Sequence, residues 1–527
     1  MKRLEFLAPL ALVALAIPFT GCGDDSASID YADSGLSEGG GTGGDEGWGD
    51  GDGDSAGDTG DGDEPAPVPD DAAEETDTET DTGGEPMCND VDDVVLYLSP
   101  DDSNSMSSPV QVREAVLVDN KSINSVAIRP WEFMNYYGFD YAPAEDGSLA
   151  LDAELRMLEG YPPESPHFQL QLAVSSEEMT DEERPPMNVT LVLDTSGSMS
   201  GEPIELLKDS CRAIAASLRA GDKVSMVEWD TQNSYTLAGY EVDGPNDPLL
   251  LDKIEQVQAG GGTDLNGGLT SGYELAQQTW DIGALNRLVL ISDGGANAGV
   301  TDVEIIAQNA AYGGSDGIYL VGAGVDLAGT YNDDLMDVVT DAGKGASVFI
   351  TDTEEAWTTF NENFINTMAL AARNVQVELT MPPGFEIVKF SGEEFSGDPQ
   401  EVEPQHLAPN DSMVFFQEVV TCAPDLVDDA AEIQVRARWE DVNTFETVEV
   451  SRTFTFGELF AGEAAHLAKG AAILAYTDAL IAIKKGVDPE RQEAIDAAYA
   501  ALAEAEALSP ADADLAEIHA ILDGLTQ

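Results

Sequence analysis

Asp194, Ser196 and Ser198 stand at i, i+2 and i+4 in Asp194-Thr195-Ser196-Gly197-Ser198-Met199, directly after the mostly apolar run Val189–Leu193. One carboxylate and two hydroxyls on a tight turn at the carboxyl end of a buried strand would aim several hard oxygens at one spot. That donor chemistry suits Mg²⁺, Mn²⁺ or Ca²⁺. Two distant segments offer more of the same. Gly260-Gly261-Gly262-Thr263-Asp264 is a glycine-rich loop opening a helix, and Leu290-Ile291-Ser292-Asp293-Gly294-Gly295 is an apolar run ending in Asp-Gly. Taken singly, each has a plainer use: Asp194 and Ser196 as turn formers, Thr263 as a helix N-cap.

These segments need a scaffold, and the pattern between residues 188 and 372 supplies one. Short β-branched runs at Val189–Leu193, Val224–Trp229, Leu288–Ile291, Ile318–Val321 and Val348–Ile350 alternate with helical patterns at Pro203–Leu218, Asp264–Thr279, Asp302–Ala311, Asp333–Ala342 and Glu354–Ala371. The alternation implies an α/β fold, a doubly wound, mostly parallel sheet covered by helices. Such sheets bind ligands beyond the carboxyl ends of their strands, where Asp194 is expected. Residues 373–460 change character: five strand-like runs follow without a helix, which suggests an antiparallel β-sandwich. Residues 91–186 carry further strands, including the alternating His167–Val174, that are expected to complete the sandwich and make 187–372 an insertion. A short helix is expected at Arg129–Tyr137. Residues 461–527 read as a helical hairpin, with Gly486 closing one helix and Asp488-Pro489 and Ser509-Pro510 opening the next two.

Asp194-x-Ser196-x-Ser198, Thr263 and Asp293, in that order and each at a strand end or helix start, resemble the metal ion-dependent adhesion site of von Willebrand factor type A (VWA) domains. The resemblance covers about 185 residues. It implies that Asp194 and Asp293 supply charge, often through water, that Ser196 and Ser198 coordinate directly, that Thr263 joins directly or through water, and that the remaining position takes an acidic side chain of a protein partner. Mg²⁺ is the expected ion. Beyond this domain, Ile128–Asp140 (IRPWEFMNYYGFD), Tyr331–Met336 and Asp341–Gly345 resemble a bacterial group of exported VWA proteins with an N-terminal extension and a C-terminal β-plus-helix region.

The chain has 527 residues and a formal net charge of −78, which argues against nucleic-acid binding. Lys2 and Arg3, the mostly apolar Leu4–Phe19 and the ending Phe19-Thr20-Gly21-Cys22 read as an export signal resembling a bacterial lipobox, with Phe19 where Leu is usual. On that reading residues 1–22 are a signal peptide, lipid on Cys22 tethers the chain to a membrane of the cell envelope, and residues 23–90 form an acidic linker. Residues 23–86 hold 22 Asp or Glu and no Lys or Arg, a composition expected to stay disordered. Within it, Asp50–Asp54 imitates an EF-hand loop, but Ser55 and Asp61 occupy positions that need Gly and Glu. Export permits disulfides and leaves a Cys88–Cys422 pairing open, while Cys211 on a helical pattern reads as a buried thiol.

Two competing readings accompany the adhesion module. One is an envelope scaffold whose metal merely staples loops together. The other is a hydrolase, against which stand only four histidines, His167, His406, His466 and His519, none within a nucleophile motif. No catalytic residue is assigned. A second Asp-x-Ser-x-Ser at Asp101–Ser105 lacks the companion segments and reads as a polar turn.

Overall fold

The computed structural model describes residues 88–89, 91–100, 105–145, 147–296, 299, 317–325, 331–442, 444–486 and 489–526. The expected export signal with Cys22, the expected linker up to residue 87, Asp101–Asn104, the helix expected over Asp302–Ala311 and Asp488 lie outside them.

Every residue of the strand Met187–Asp194 is buried. Because successive side chains point to opposite faces, Val189, Leu191 and Leu193 enter one apolar cluster and Val192 the other. A strand covered on both faces must lie inside the sheet, and it does. Among the described residues the sheet runs Asn233–Glu241, Lys223–Trp229, Met187–Asp194, Leu285–Ser292, Tyr319–Val325, Ser347–Ile350. All neighbours are parallel except the edge strand Asn233–Glu241, which sequence reading missed. Its half-exposed residues and lack of a buried face left no clear period-two signal. In register, Asp194 faces Trp229 and Leu193 faces Ile291, so the carboxyl ends of three strands finish level.

The helix Leu265–Gln278 sits unusually close over this sheet. A Cβ on Gly272 would come within 2.4 Å of Val192 Cγ2, and one on Gly268 within 2.6 Å of the Trp229 ring. Two glycines on one helical face thus let the backbone settle onto the central strands and draw Thr263 toward the strand ends. The helix expected over Glu354–Ala371 is broken: Thr353–Trp357, a π-helical turn Thr358–Glu362 and Phe364–Met368 replace it.

Two antiparallel sheets form a sandwich around a shared apolar core that includes Phe168, Leu170, Phe415 and Val435. Val94–Ser99 pairs with Ala372–Met381, and His167–Ser175 with Ser412–Thr421, so strands from both sides of residues 187–372 share each sheet. A Cys88–Cys422 disulfide joins the same two sides, and Cys211 is buried and unpaired.

Outside the sandwich, the helices Ala465–Lys485, Pro489–Leu508 and Ala513–Thr526 pack with Pro130–Tyr136 around Phe133, Tyr137 and Tyr476. The helical region is therefore a hairpin plus a third helix. That third helix is capped not at Ser509 but at Asp512, whose carboxylate accepts from the Asp514 and Leu515 amides at 2.9 and 3.3 Å. Ala465–Lys485 is long and apolar enough to cross a membrane, yet most of it is buried here, and Lys469 on it pairs with Asp512 and Asp514 at 2.8 and 2.7 Å.

Candidate metal centre

The turn after the central strand is held by its own backbone. Thr195 N and Oγ1 both donate to the Trp229 carbonyl, at 2.8 and 2.9 Å. Gly260 N donates to the Thr195 carbonyl at 2.6 Å, and Gly197 N to the Gly261 carbonyl at 3.1 Å. A Cβ on Gly197 would crowd that carbonyl, and Gly261 has φ of +87°. The first two loops are thereby bonded face to face.

Within this frame Asp194 and Ser196 are fully buried and Ser198 is exposed. Asp194 Oδ1 accepts from the Ser196 amide at 2.8 Å, and Oδ2 accepts from Ser292 Oγ at 2.6 Å. The Ser196 and Ser198 hydroxyls lie 3.0 Å apart. No Lys, Arg or His forms an ion pair with Asp194 among the described residues. Burial pushes its carboxyl up to about 6, against hydrogen bonds from Ser292 and Ser196 that pull it down, while nearby Asp293 pushes it up further.

Thr263 does not cap the helix it precedes. Asp264 does, accepting from the Gly267 amide at 2.9 Å, and the buried Thr263 side chain turns to the third loop. There Asp293 Oδ1 accepts from the Gly295 amide at 3.0 Å. Asp293 Oδ1 and Thr263 Oγ1 lie 2.9 and 3.9 Å from where a Cβ on Gly295 would sit. Asn332 N reaches the Asp293 carbonyl at 3.4 Å and backs this loop.

Asp194, Ser196, Ser198, Thr263 and Asp293 therefore share one end of one sheet. Cys22 lies outside the described residues. In the look-alike segment, Ser105 is buried, with its hydroxyl accepting from the Ser347 amide at 3.1 Å, so it serves the adjacent strand. Sequence reading missed Ser292, the hydroxyl that orients Asp194. It stands within the third segment, but nothing in the sequence shows that it faces the first.

The donor set fits a hard divalent ion. Two acidic residues and three hydroxyls converge, and among the described residues no protein cation balances the buried carboxylate there. Residues 189–296 match the family model of the von Willebrand factor type A domain. The chain carries a VWA domain. It is 24% identical over 265 residues to the uncharacterized protein YfbK of Escherichia coli, covering 49% of this chain and 46% of that protein. It is also 30% identical over 150 residues to inter-alpha-trypsin inhibitor heavy chain H1 of Sus scrofa, 27% of this chain and 16% of that one. The match to YfbK thus spans under half of that relative's length. Among solved structures it is similar to a von Willebrand factor type A protein from Catenulispora acidiphila, with a TM-score of 0.47, 15% identity, and coverage of 73% of this chain and 98% of that one.

The four histidines are placed elsewhere by their partners. His167 stacks on Tyr161, His406 packs edge-on against Tyr319, His466 meets Glu154 at 2.9 Å and His519 meets Glu506 at 3.0 Å.

Proposed function

We propose that the protein is an exported binding module of the bacterial cell envelope whose VWA domain captures an acidic side chain of a protein partner through a divalent cation. Asp194, Ser196, Ser198, Thr263 and Asp293 hold the ion, with Mg²⁺ the expected occupant and Mn²⁺ or Ca²⁺ able to substitute. When bound, the cation supplies a Lewis-acidic position that a carboxylate can occupy. Asp194 and Asp293 formally balance its two charges, while the neutral hydroxyls orient it without adding further negative charge and Ser292 keeps Asp194 turned toward the site. Lipid on Cys22 tethers the chain, and residues 23–86 form the stalk between membrane and folded region.

The observation that carries this reading is the buried Asp194 carboxylate, which among the described residues has hydroxyl and amide partners and no cation. The scaffold alternative asks the metal to join the loops, but backbone hydrogen bonds between Thr195, Gly197, Gly260 and Gly261 already join the first two. The test is affinity capture from envelope extracts in Mg²⁺ and in EDTA, with wild type and Asp194→Ala. A partner retained in Mg²⁺ by the wild type alone supports the reading, and equal retention by Asp194→Ala overturns it. Radiolabelled palmitate incorporation that disappears in Cys22→Ser tests the anchor separately.

A further inference from the structure

At the opposite end of the same sheet, roughly 20 Å from Asp194 along an eight-residue strand, lies a cavity of about 350 Å³. Its walls include Trp280, Ile282, Arg287, Tyr319, Arg373 and Phe445. It opens between the amino ends of the VWA strands and the first residues of the sandwich strand Ala372–Met381.

The charge here runs against the rest of the molecule. The chain has 23 Lys and Arg against 101 Asp and Glu, yet two guanidinium groups converge on one tyrosine. Arg287 Cζ lies 5.7 Å and Arg373 Cζ 5.4 Å from the Tyr319 ring centre. Arg287 is fixed in place, its Nε and Nη2 donating to the Met368 and Ala369 carbonyls at 2.8 and 3.2 Å. Arg373 is different. It lies under the Phe445 ring, 4.3 Å from its centre. No carboxylate pairs with it among the described residues, even though Glu440 is its register partner on the neighbouring strand.

Two buried polar atoms at this cavity, Arg373 Nε and Tyr319 Oη, have no partner within hydrogen-bond geometry, although the Arg373 guanidinium lies beside Tyr319 and its charge favours the ionised hydroxyl. Tyr319 is only 6% exposed. A buried donor without an acceptor is costly, and here two lie in one cavity walled by a cation and by aromatic and aliphatic surface. Around them Ile282 is 91% and Phe445 57% exposed, unusual apolar exposure at the rim.

We propose that this cavity is a second ligand site, for a carboxylate carried on a flat apolar body, such as an aromatic acid or the carboxyl end of a chain closing in an aromatic residue. Arg373 and Tyr319 Oη donate to the carboxylate. Trp280, Ile282 and Phe445 cover the body, and Arg287 provides fixed positive charge beneath it. Guanidinium groups suit this task because their planar fork matches two carboxylate oxygens. The site is independent of the metal centre, because the two occupy opposite ends of the sheet.

The test uses 3-phenylpropionate and its neutral isostere 3-phenylpropionamide, titrated calorimetrically into the wild-type protein in EDTA so that no metal can take the carboxylate. The acid is expected to bind about tenfold more tightly than the amide, the preference given by one charge-assisted hydrogen bond pair. Arg373→Gln is expected to remove that preference, and Tyr319→Phe to reduce it several-fold. Phe445→Ala, at an exposed position outside the apolar core, is expected to weaken acid and amide alike and keeps the test readable if Arg373→Gln misfolds. Asp293→Asn is expected to leave the titration unchanged. Acid and amide binding equally, an unaltered preference in a folded Arg373→Gln, or no binding of the acid by the wild type overturns the proposal.

Discussion

Among the described residues, buried carboxylates are balanced in different ways. Asp222 accepts from Arg184 Nη2 at 2.7 Å and from the Met187 amide at 2.9 Å, with both side chains inaccessible. Asp333 and Glu132 share Arg129, at 2.6 and 3.1 Å, and Ser107 and Gln111 also donate to Asp333 at 2.7 and 2.8 Å. There, burial still pushes the Glu132 carboxyl up to about 7 despite the guanidinium. Among the described residues, Asp247 and Asp194 have only hydroxyl and amide donors. Against burial, the Asp243, Leu250 and Leu249 amides and the Tyr240 hydroxyl hold the Asp247 carboxyl below its usual range at a helix N-cap, whereas at Asp194 burial outweighs the bonds from Ser292 and Ser196. The first two carboxylates bring their cation with the sequence. Asp194 does not and, unlike Asp247, keeps a carboxyl pushed up by burial, and the simplest physical account is that its cation comes from solution.

The contrast is open to attack by substitution. The largest effect is expected at the metal: Asp194→Ala or Asp293→Ala should reduce Mg²⁺ affinity by at least about a hundredfold by calorimetry, since each removes a charge from a small donor set. Next, Arg184→Met or Arg129→Met should each cost about 3–5 kcal/mol of folding stability in denaturant titrations, because each strands buried carboxylates. The Arg129 variant should also loosen the helices Ser107–Arg113 and Pro130–Tyr136 from the helix Asp333–Ala342, to which Arg129, Ser107 and Gln111 bind them through Asp333. Opening the Cys88–Cys422 bridge with Cys422→Ser should cost about 2–4 kcal/mol, through the entropy of the freed chain. The smallest effect on stability is expected at the orienting hydroxyl. Ser292→Ala should lower Mg²⁺ affinity about tenfold while leaving the fold near wild type, as removal of a ligand-orienting partner does.

How much of this was legible in the sequence depends on whether a residue signals locally. The central strand announced itself through Val189–Leu193, because burial on both faces demands an unbroken apolar run. Asp194, Ser196 and Ser198 were legible because their spacing lies within one turn, and Thr263 and Asp293 because each ends a recognisable element. The interior of the sandwich was legible in outline from strand runs without helices. Ser292 and Arg129 were not. Their roles depend on what a second element brings within 3 Å, and one sequence contains no record of that distance. The edge strand Asn233–Glu241 escaped for the opposite reason: half in solvent, it has too little burial to impose a pattern. Glu354–Ala371 looked like one helix because no proline or glycine interrupts it, although the π-helical break at Thr358–Glu362 falls where Thr358, Thr359, Asn361 and Asn363 weaken helix propensity.

The claim that Asp194 is a buried charge awaiting a cation is tested most directly by thermal melting of wild type and Asp194→Asn, each in EDTA and in Mg²⁺. The account predicts that Mg²⁺ raises the wild-type Tm, since the ion binds only the folded state. It also predicts that Asp194→Asn melts at or above the wild type in EDTA, having lost an uncompensated charge, and does not respond to Mg²⁺. A wild type indifferent to Mg²⁺, or an Asp194→Asn protein that melts well below it in EDTA, would contradict that claim.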